Sequence, residues 1–255
     1  MTRTVSRASR FGPQKRRSSH DVIAKVLGGE ILAGVHKAGS KMPAEQELLT
    51  RFKVSRTVLR EVLKTLAAKG LVVSKVRVGT HVLDHVHWNY FDADVLAWKA
   101  DLGFDSDFSA ALAEVRRALE PAAARLAAER RTVQEIAALR ESVAQMDRSR
   151  LSRQGFAEAD LAFHLAIGAA SGNPLFRSIA AVTEAALFAA FSLSSPTESQ
   201  ERHKAVVEGH RAIVDAIEAG DGEGAANAML AIIDAGFERV SARVDEHRRR
   251  PAKAR

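Results

Sequence analysis

Asp160 and His164 stand four residues apart in FAEADLAFHLAIGAAS, so a helix through this stretch sets a carboxylate and an imidazole on one face. An oxygen and a nitrogen donor so placed can ligate one divalent ion, or they can simply hydrogen-bond to each other. His210, in ERHKAVVEGHRAIVDAIEAG, stands among apolar residues of a later helical stretch and offers a second imidazole. Arg116 in EVRRALE carries a fork of donors that can pair with Glu120 one turn on. Nearer the start, VSRTVLREVLKTLAAKG repeats a cation every four residues at Arg56, Arg60 and Lys64, opposite Leu59, Val62, Leu63 and Leu66. Such a ridge suits a polyanion, or is the solvated face of an ordinary amphipathic helix. Catalysis finds little support. There is no HExxH, no GxSxG, no phosphate-cradling glycine loop and no cysteine, and the chain is read as a non-enzyme.

The elements that position these residues are mostly helical. Of 255 residues 46% are hydrophobic but only 5% aromatic, and the heavy use of Ala, Leu, Arg and Glu favours helix over sheet. The net charge of +7 is uneven: +6 over residues 1–20, +5 over 21–84, −8 over 85–240 and +4 over 241–255. A basic front and an acidic body point to a polyanion meeting the amino-terminal end. The Arg-rich ends, 1–19 and 244–255, read as disordered tails. No apolar run reaches membrane-spanning length and the first twenty residues hold no secretory core, so the expected location is the cytoplasm, with no membrane partner.

HDVIAKVLGGEILAGV spaces Val22, Ile23, Val26, Leu27 and Ile31 as a helix that stops near Gly34. In KAGSKMPAEQELLTRFKVS, Gly39 and Ser40 turn the chain and Pro43 marks where a second helix can begin. Glu45 and Glu47 suit its first turn, and Leu48, Leu49 and Phe52 face inward. Only Lys53 and Val54 then precede Ser55, a good N-cap for a third helix. Helices joined so tightly cross steeply, as in a helix-turn-helix. After Gly70, two β-rich runs at 71–76 and 80–83 flank Arg77, Val78 and Gly79 as a hairpin. Three helices and a basic-tipped hairpin make a winged helix. The cationic ridge falls on its third helix, where side chains meet base edges and phosphates in the major groove.

The stretch MPAEQELLTRFKVSRTVLREVLKTLAAKGLVVSKVRVGTHV resembles the winged-helix domain of the GntR family of bacterial transcription regulators. That family's pattern runs roughly LPxExxLxxxFxVSRxxxRExLxxLxxxGLVxxxxxxGTxV. The resemblance implies that Ser55, Arg56, Thr57 and Arg60, with Gln46 on the preceding helix, lie at operator DNA, Arg56 and Arg60 in contact with it. It also implies that the wing, with Lys75, Arg77, Gly79 and Thr80, enters the minor groove. Two positions depart from the pattern. Gln46 stands where many members have Arg, and Arg77 takes the place of the first wing glycine.

Beyond the wing, HWNYFDADVLAW looks like the linker of sugar-acid regulators of the galactonate-responsive type. The phrases RRALEPAAARLAAER, DLAFHLAIGAASGN and HRAIVDAIEAGD resemble the FCD ligand-binding domain of the FadR subfamily. In FCD domains an Asp, the His four residues on and two later His hold a metal, often zinc or nickel, and the effector carboxylate completes its shell. Asp160, His164 and His210 match, whereas family spacing puts the fourth ligand at Ile232. The resemblance thus implies a mainly α protein. A winged helix-turn-helix at 20–84 and a linker at 85–98 precede an antiparallel helical bundle at 99–243, which binds effector and dimerises. It implies a homodimer on double-stranded operator DNA, repressing until a small carboxylate such as galactonate binds near Arg116, Asp160, His164 and His210. The resemblance implies either a divalent metal, Zn or Ni, on Asp160, His164 and His210, or, with no ion, an effector carboxylate held by Arg116, which corresponds to a cavity arginine of the family, with His164 and His210 as donors. The alternatives are a metal-dependent helical enzyme acting on small organic acids, or a DNA-binding protein with no small effector.

Overall fold

Ser18 opens the first helix: its Oγ accepts from the Asp21 N–H at 3.2 Å while the Asp21 carboxylate accepts from the Ser18 N–H, a reciprocal cap. The computed structural model describes residues 18–75, 78–193 and 196–249, in two units that divide between Gly103 and Phe104.

The first unit holds α1 (Ser19–Leu32), α2 (Glu45–Phe52) and α3 (Arg56–Ala68). Lys53 ends α2 in the left-handed region at φ 53° and Ser55 caps α3 through the Val58 N–H at 3.3 Å, which makes the tight helix-turn-helix corner. Leu27, Ile31, Leu48, Leu59, Val62 and Leu66 close its core. Strands β1 (Val72–Lys75) and β2 (Gly79–Val82) pair antiparallel with Val72 opposite Val82 and Lys75 opposite Gly79. Residues 39–42 add to the β2 edge through Met42 N–H to Thr80 O and Gly39 N–H to Val82 O, at 2.8 and 2.9 Å. Arg77, expected at the wing tip, lies outside the described residues.

The segment expected as a linker, 85–98, is packed structure. After a single turn of 3-10 helix at His85–His87, α4 (Ala93–Asp101) lies against α1 and puts Val95 and Trp98 into the same core as Leu27. The fit is close: a Cβ on Gly28 would sit 2.2 Å from Trp98 Cζ3. Lys69, at the end of α3, binds Asp92 and Asp94 at 2.7 and 2.8 Å, and Trp88 Nε1 donates to Leu83 O at 3.0 Å. Gly28→Val is therefore expected to destabilise this unit by about 1–3 kcal/mol through overpacking. Both tryptophans, Trp88 and Trp98, lie in this unit, so a fall in the denaturant midpoint of tryptophan fluorescence is the check.

The second unit comprises α5 (Ser106–Arg130), α6 (Val133–Arg148), α7 (Arg153–Ala170), the short α8 (Pro174–Ser178), α9 (Ala180–Leu193), α10 (Gln200–Ala219) and α11 (Gly222–Arg249). Side-chain caps from Asp105, Thr132, Ser152 and Ser199 start α5, α6, α7 and α10, and Gly220 at φ 77° ends α10. Turns of two to four residues join α6 to α7 and α10 to α11, which pack on each other as antiparallel pairs. Alanines 123, 124, 127 and 128 of α5 are buried, and α5 lies alongside α11. Helix α11 continues through 244–249, where the sequence suggests a tail; residues 1–17 and 250–255 lie outside the described ones.

Candidate functional site

Helices α5, α7, α9, α10 and α11 surround a cavity that is bordered by Arg116, Asp160, His164 and His210 together with apolar side chains. One turn of α7 turns Asp160 and His164 inward, α10 contributes His210, and all three are buried. One potential donor atom from each lies within 4.8 Å of the other two.

Hydrogen bonding sets the tautomers. His210 Nδ1 lies 2.8 Å from the Val206 carbonyl one turn earlier on α10. A carbonyl only accepts, so Nδ1 carries the proton and the neutral ring keeps its lone pair on Nε2. That Nε2 is 2.9 Å from Asp160 Oδ1 yet makes no hydrogen bond with it. His164 differs: its Nδ1 lies 2.8 Å from Glu120 Oε2 without a hydrogen bond, and the hydrogen bond is at Nε2. Its Nε2 faces Arg116 Nη2 at 3.4 Å and Asp160 Oδ2 at 3.9 Å. The His164, His210 and Phe163 rings pack edge to face, which holds both imidazoles in place. Imidazoles whose Nδ1 faces an oxygen and whose Nε2 faces a shared carboxylate form the outer-shell pattern of a metal site. A lone pair on His210 Nε2 against a carboxylate oxygen is unfavourable until a cation or a proton lies between them, so the three residues fit a divalent ion.

Burial pushes the Asp160 carboxyl up, but a proton on His210 Nε2 in the 2.9 Å gap between them, and after it His164 and Arg116, hold it below the usual carboxylate range. Glu120 is pushed up by burial too, and Arg116 and then His164 more than reverse this, leaving it ionised and strongly lowered. Its partners are Arg116 Nε and Nη2 at 2.7 and 3.1 Å and Thr183 Oγ1 at 3.1 Å. Of the two readings of Arg116, the structure brings about the pairing with Glu120, and the guanidinium still borders the cavity. Ile232 occupies the position where family spacing puts a fourth ligand. It lines the cavity and lies over Gly209, whose Cβ would come 2.3 Å from Ile232 Cδ1, and it offers no donor.

Arg239, two turns after Ile232 on the same face of α11, also borders the cavity and was missed by sequence reasoning. Burial pushes its guanidinium below its ordinary value, and Arg202 adds to this against the pull of Asp160.

In the first unit, Ser55, Arg56, Thr57, Arg60, Gln46 and Lys75 are all exposed. The Arg56 side chain is 74% exposed, with Glu45 3.7 Å away. Glu61 pairs with Lys64 at 2.8 Å, and Arg60 has no hydrogen bond or ion pair among the described residues. The ridge thus keeps its two leading arginines available. Gly79 needs φ 108°, and a side chain there would run into Lys41; the Thr80 hydroxyl is 2.9 Å from that of Ser74.

Residues 20–82 match the model of the gntR family of bacterial regulatory proteins, and residues 111–235 that of the FCD domain. The chain is similar to the galactonate operon transcriptional repressor of Escherichia coli (strain K12), with 34% identity over 220 residues, 86% of this chain and 96% of that one. It is similar also to the HTH-type transcriptional regulator LutR of Bacillus subtilis (strain 168), 33% identical over 204 residues, covering 78% and 90% of the two chains. A solved structure, described as Lar, which controls expression of the Listeria monocytogenes agr system, shares the fold with a TM-score of 0.63. Its identity is 18%, over 90% of this chain and 99% of the other.

Proposed function

The chain belongs to the GntR family of bacterial transcription regulators and carries an FCD domain, and from that premise we propose a homodimeric operator-binding repressor. Its effector is a small carboxylate, with hydroxy acids of the galactonate kind the first candidates because the similar Escherichia coli protein is named for the galactonate operon. The observation that carries the reading is the placement of two unlike constellations. An exposed cationic ridge sits on the second helix of a helix-turn-helix in one unit, and a buried Asp and two oriented imidazoles border a cavity in the other. Exposed cations bind a polyanion, and a walled cavity selects a small molecule. The cavity is read as a sensor and not a catalytic centre, and a protein that reads operator DNA works in the cytoplasm.

Coupling follows from linkage. An effector that binds one arrangement of the paired DNA-reading units better than another shifts the population toward it, by no more than its difference in affinity. The two-fold symmetry of a dimer matches a palindromic operator, with half-sites about one helical turn apart. A zinc or nickel ion held by Asp160, His164 and His210 would supply a Lewis-acidic positive charge with positions left for an effector oxygen. Val206 O and Glu120 fix which ring nitrogens face it.

Selection of genomic fragments against random competitor DNA at moderate ionic strength, followed by release with galactonate and related acids, tests the function. No preference for any fragment would refute it. Metal binding has its own check. Loss of an outer-shell partner costs about 10–100-fold in metal affinity, and loss of a ligand costs more. His210→Ala should therefore weaken zinc binding by at least about 100-fold in calorimetric titration of the chelator-treated protein. Equal affinities would remove His210 from the site.

A further inference from the structure

We propose that Arg239 is the anchor for the effector's carboxylate, the position usually expected of a metal ligand on this helix having passed to Ile232; the inference rests on the small-carboxylate reading above. Side chains on a helix lean toward its amino terminus, and Arg239 does so: a Cβ on Gly236, three residues earlier, would meet only Arg239 Nη2, at 3.7 Å. The guanidinium thus lies over a residue with no side chain, on the face of α11 that lines the cavity between Ile232 and Val240.

Among the described residues, Arg116, Arg117 and Arg202 already have counter-ions. Arg116 has Glu120 at 2.7 Å, Arg117 has Asp234 at 2.6 Å, and Arg202 has Glu198 at 3.6 Å. Arg239 has no hydrogen bond or ion pair among the described residues. A part-buried fork of five donors with no acceptor is costly unless something arrives to accept, and a planar carboxylate answers it with two parallel hydrogen bonds. Leu187, Pro196, Phe237 and Val240 offer the ligand apolar contact, and Ser109, His164 and His210 border the same cavity with polar atoms. Sequence could not single out Arg239, because Arg243 and Arg248 lie on the same long helix.

The test is calorimetric titration of the full-length protein with galactonate and with acetate, the smallest carboxylate probe, for wild type, Arg239→Gln and Arg239→Lys. Loss of a charge-assisted pair, worth roughly 1.5–3 kcal/mol, corresponds to a tenfold to hundredfold weaker affinity in Arg239→Gln. Arg239→Lys, which keeps the charge but not the fork, should fall between. Arg239→Gln should also melt no lower than wild type without ligand, since no internal partner is removed. Acid binding to wild type with undiminished affinity in Arg239→Gln overturns the anchor alone, and so does a lower melting temperature of the ligand-free variant. Binding of neither acid to wild type overturns the carboxylate reading itself and the anchor with it.

Discussion

Glu120→Ala is expected to lower the stability of the carboxyl-terminal unit by about 3–5 kcal/mol, the typical cost of removing one partner of a buried ion pair. Glu120 accepts from Arg116 Nε and Nη2 and from Thr183 Oγ1, and lies 2.8 Å from His164 Nδ1. Its removal leaves a buried guanidinium with no counter-ion, and that desolvated charge sets the cost more than the missing packing of the Glu120 side chain does. Glu120→Gln should fall short of the full loss because one acceptor oxygen remains. Heat-induced loss of far-ultraviolet dichroism, compared with tryptophan fluorescence, reads the result. Both tryptophans lie in the other unit, so the two signals should separate in the variant. A melt that matches wild type would mean that Arg116 finds other acceptors and that the pair is not what holds α5 at the cavity.

The same group predicts a pH dependence with a definite sign. The folded-state pKa of Glu120 lies below its ordinary value of 4.5, and that of Asp160 below 3.8. Their contribution is therefore complete above about pH 5 and is lost as pH falls through those ordinary values toward the folded ones. Wild type should lose urea resistance steadily on acidification below pH 4.5. Glu120→Ala should start lower and show a shallower slope over the same window, because one of the two depressed carboxyls is gone.

What could be read from sequence follows the reach of the interaction. Helical spacing, the Ser55 cap and the hairpin runs are local, and α1, α2, α3, β1 and β2 lie where those signals put them. The i, i+4 relation of Asp160 and His164 is local too, and His210 joins them in one cluster. Pairings between distant segments were not legible. Within residues 85–98, which read as a linker, Trp98 packs on Gly28 and Asp92 binds Lys69, partners that no short window contains. A signal was present in Gly28, since glycine inside a helix costs about 1 kcal/mol and points to a close neighbour, here Trp98. Glu61 stands beside Arg60 in sequence, yet it turns to Lys64 three residues on. At Arg116 the sequence leaves a small ligand and Glu120 both open, and only packing against α9, through Thr183, shows Glu120 enclosed with it.

Arg60→Ala should weaken operator binding by about 10–100-fold per half-site, equivalent to roughly 1–3 kcal/mol, and the proposed dimer carries the change twice. Arg60 is the sharper probe of the ridge because no internal partner among the described residues competes for its guanidinium, whereas Arg56 has Glu45 3.7 Å away. Lys64 already holds Glu61 at 2.8 Å and lies one turn deeper along α3, so Lys64→Ala should lose less. The salt dependence then separates two modes of binding. If Arg60 binds phosphate, the variant loses affinity for operator and random duplex alike, and the slope of log K against log salt falls by about 1 for each phosphate released. If it reads a base edge, affinity for random duplex is retained and discrimination at one base pair of each half-site is lost. Fluorescence anisotropy at several salt concentrations, with operator and scrambled duplexes, distinguishes these outcomes. Unchanged operator affinity in both Arg56→Ala and Arg60→Ala would mean that α3 does not face DNA. The protein would then have to read its operator by some other surface than the one its helix-turn-helix presents.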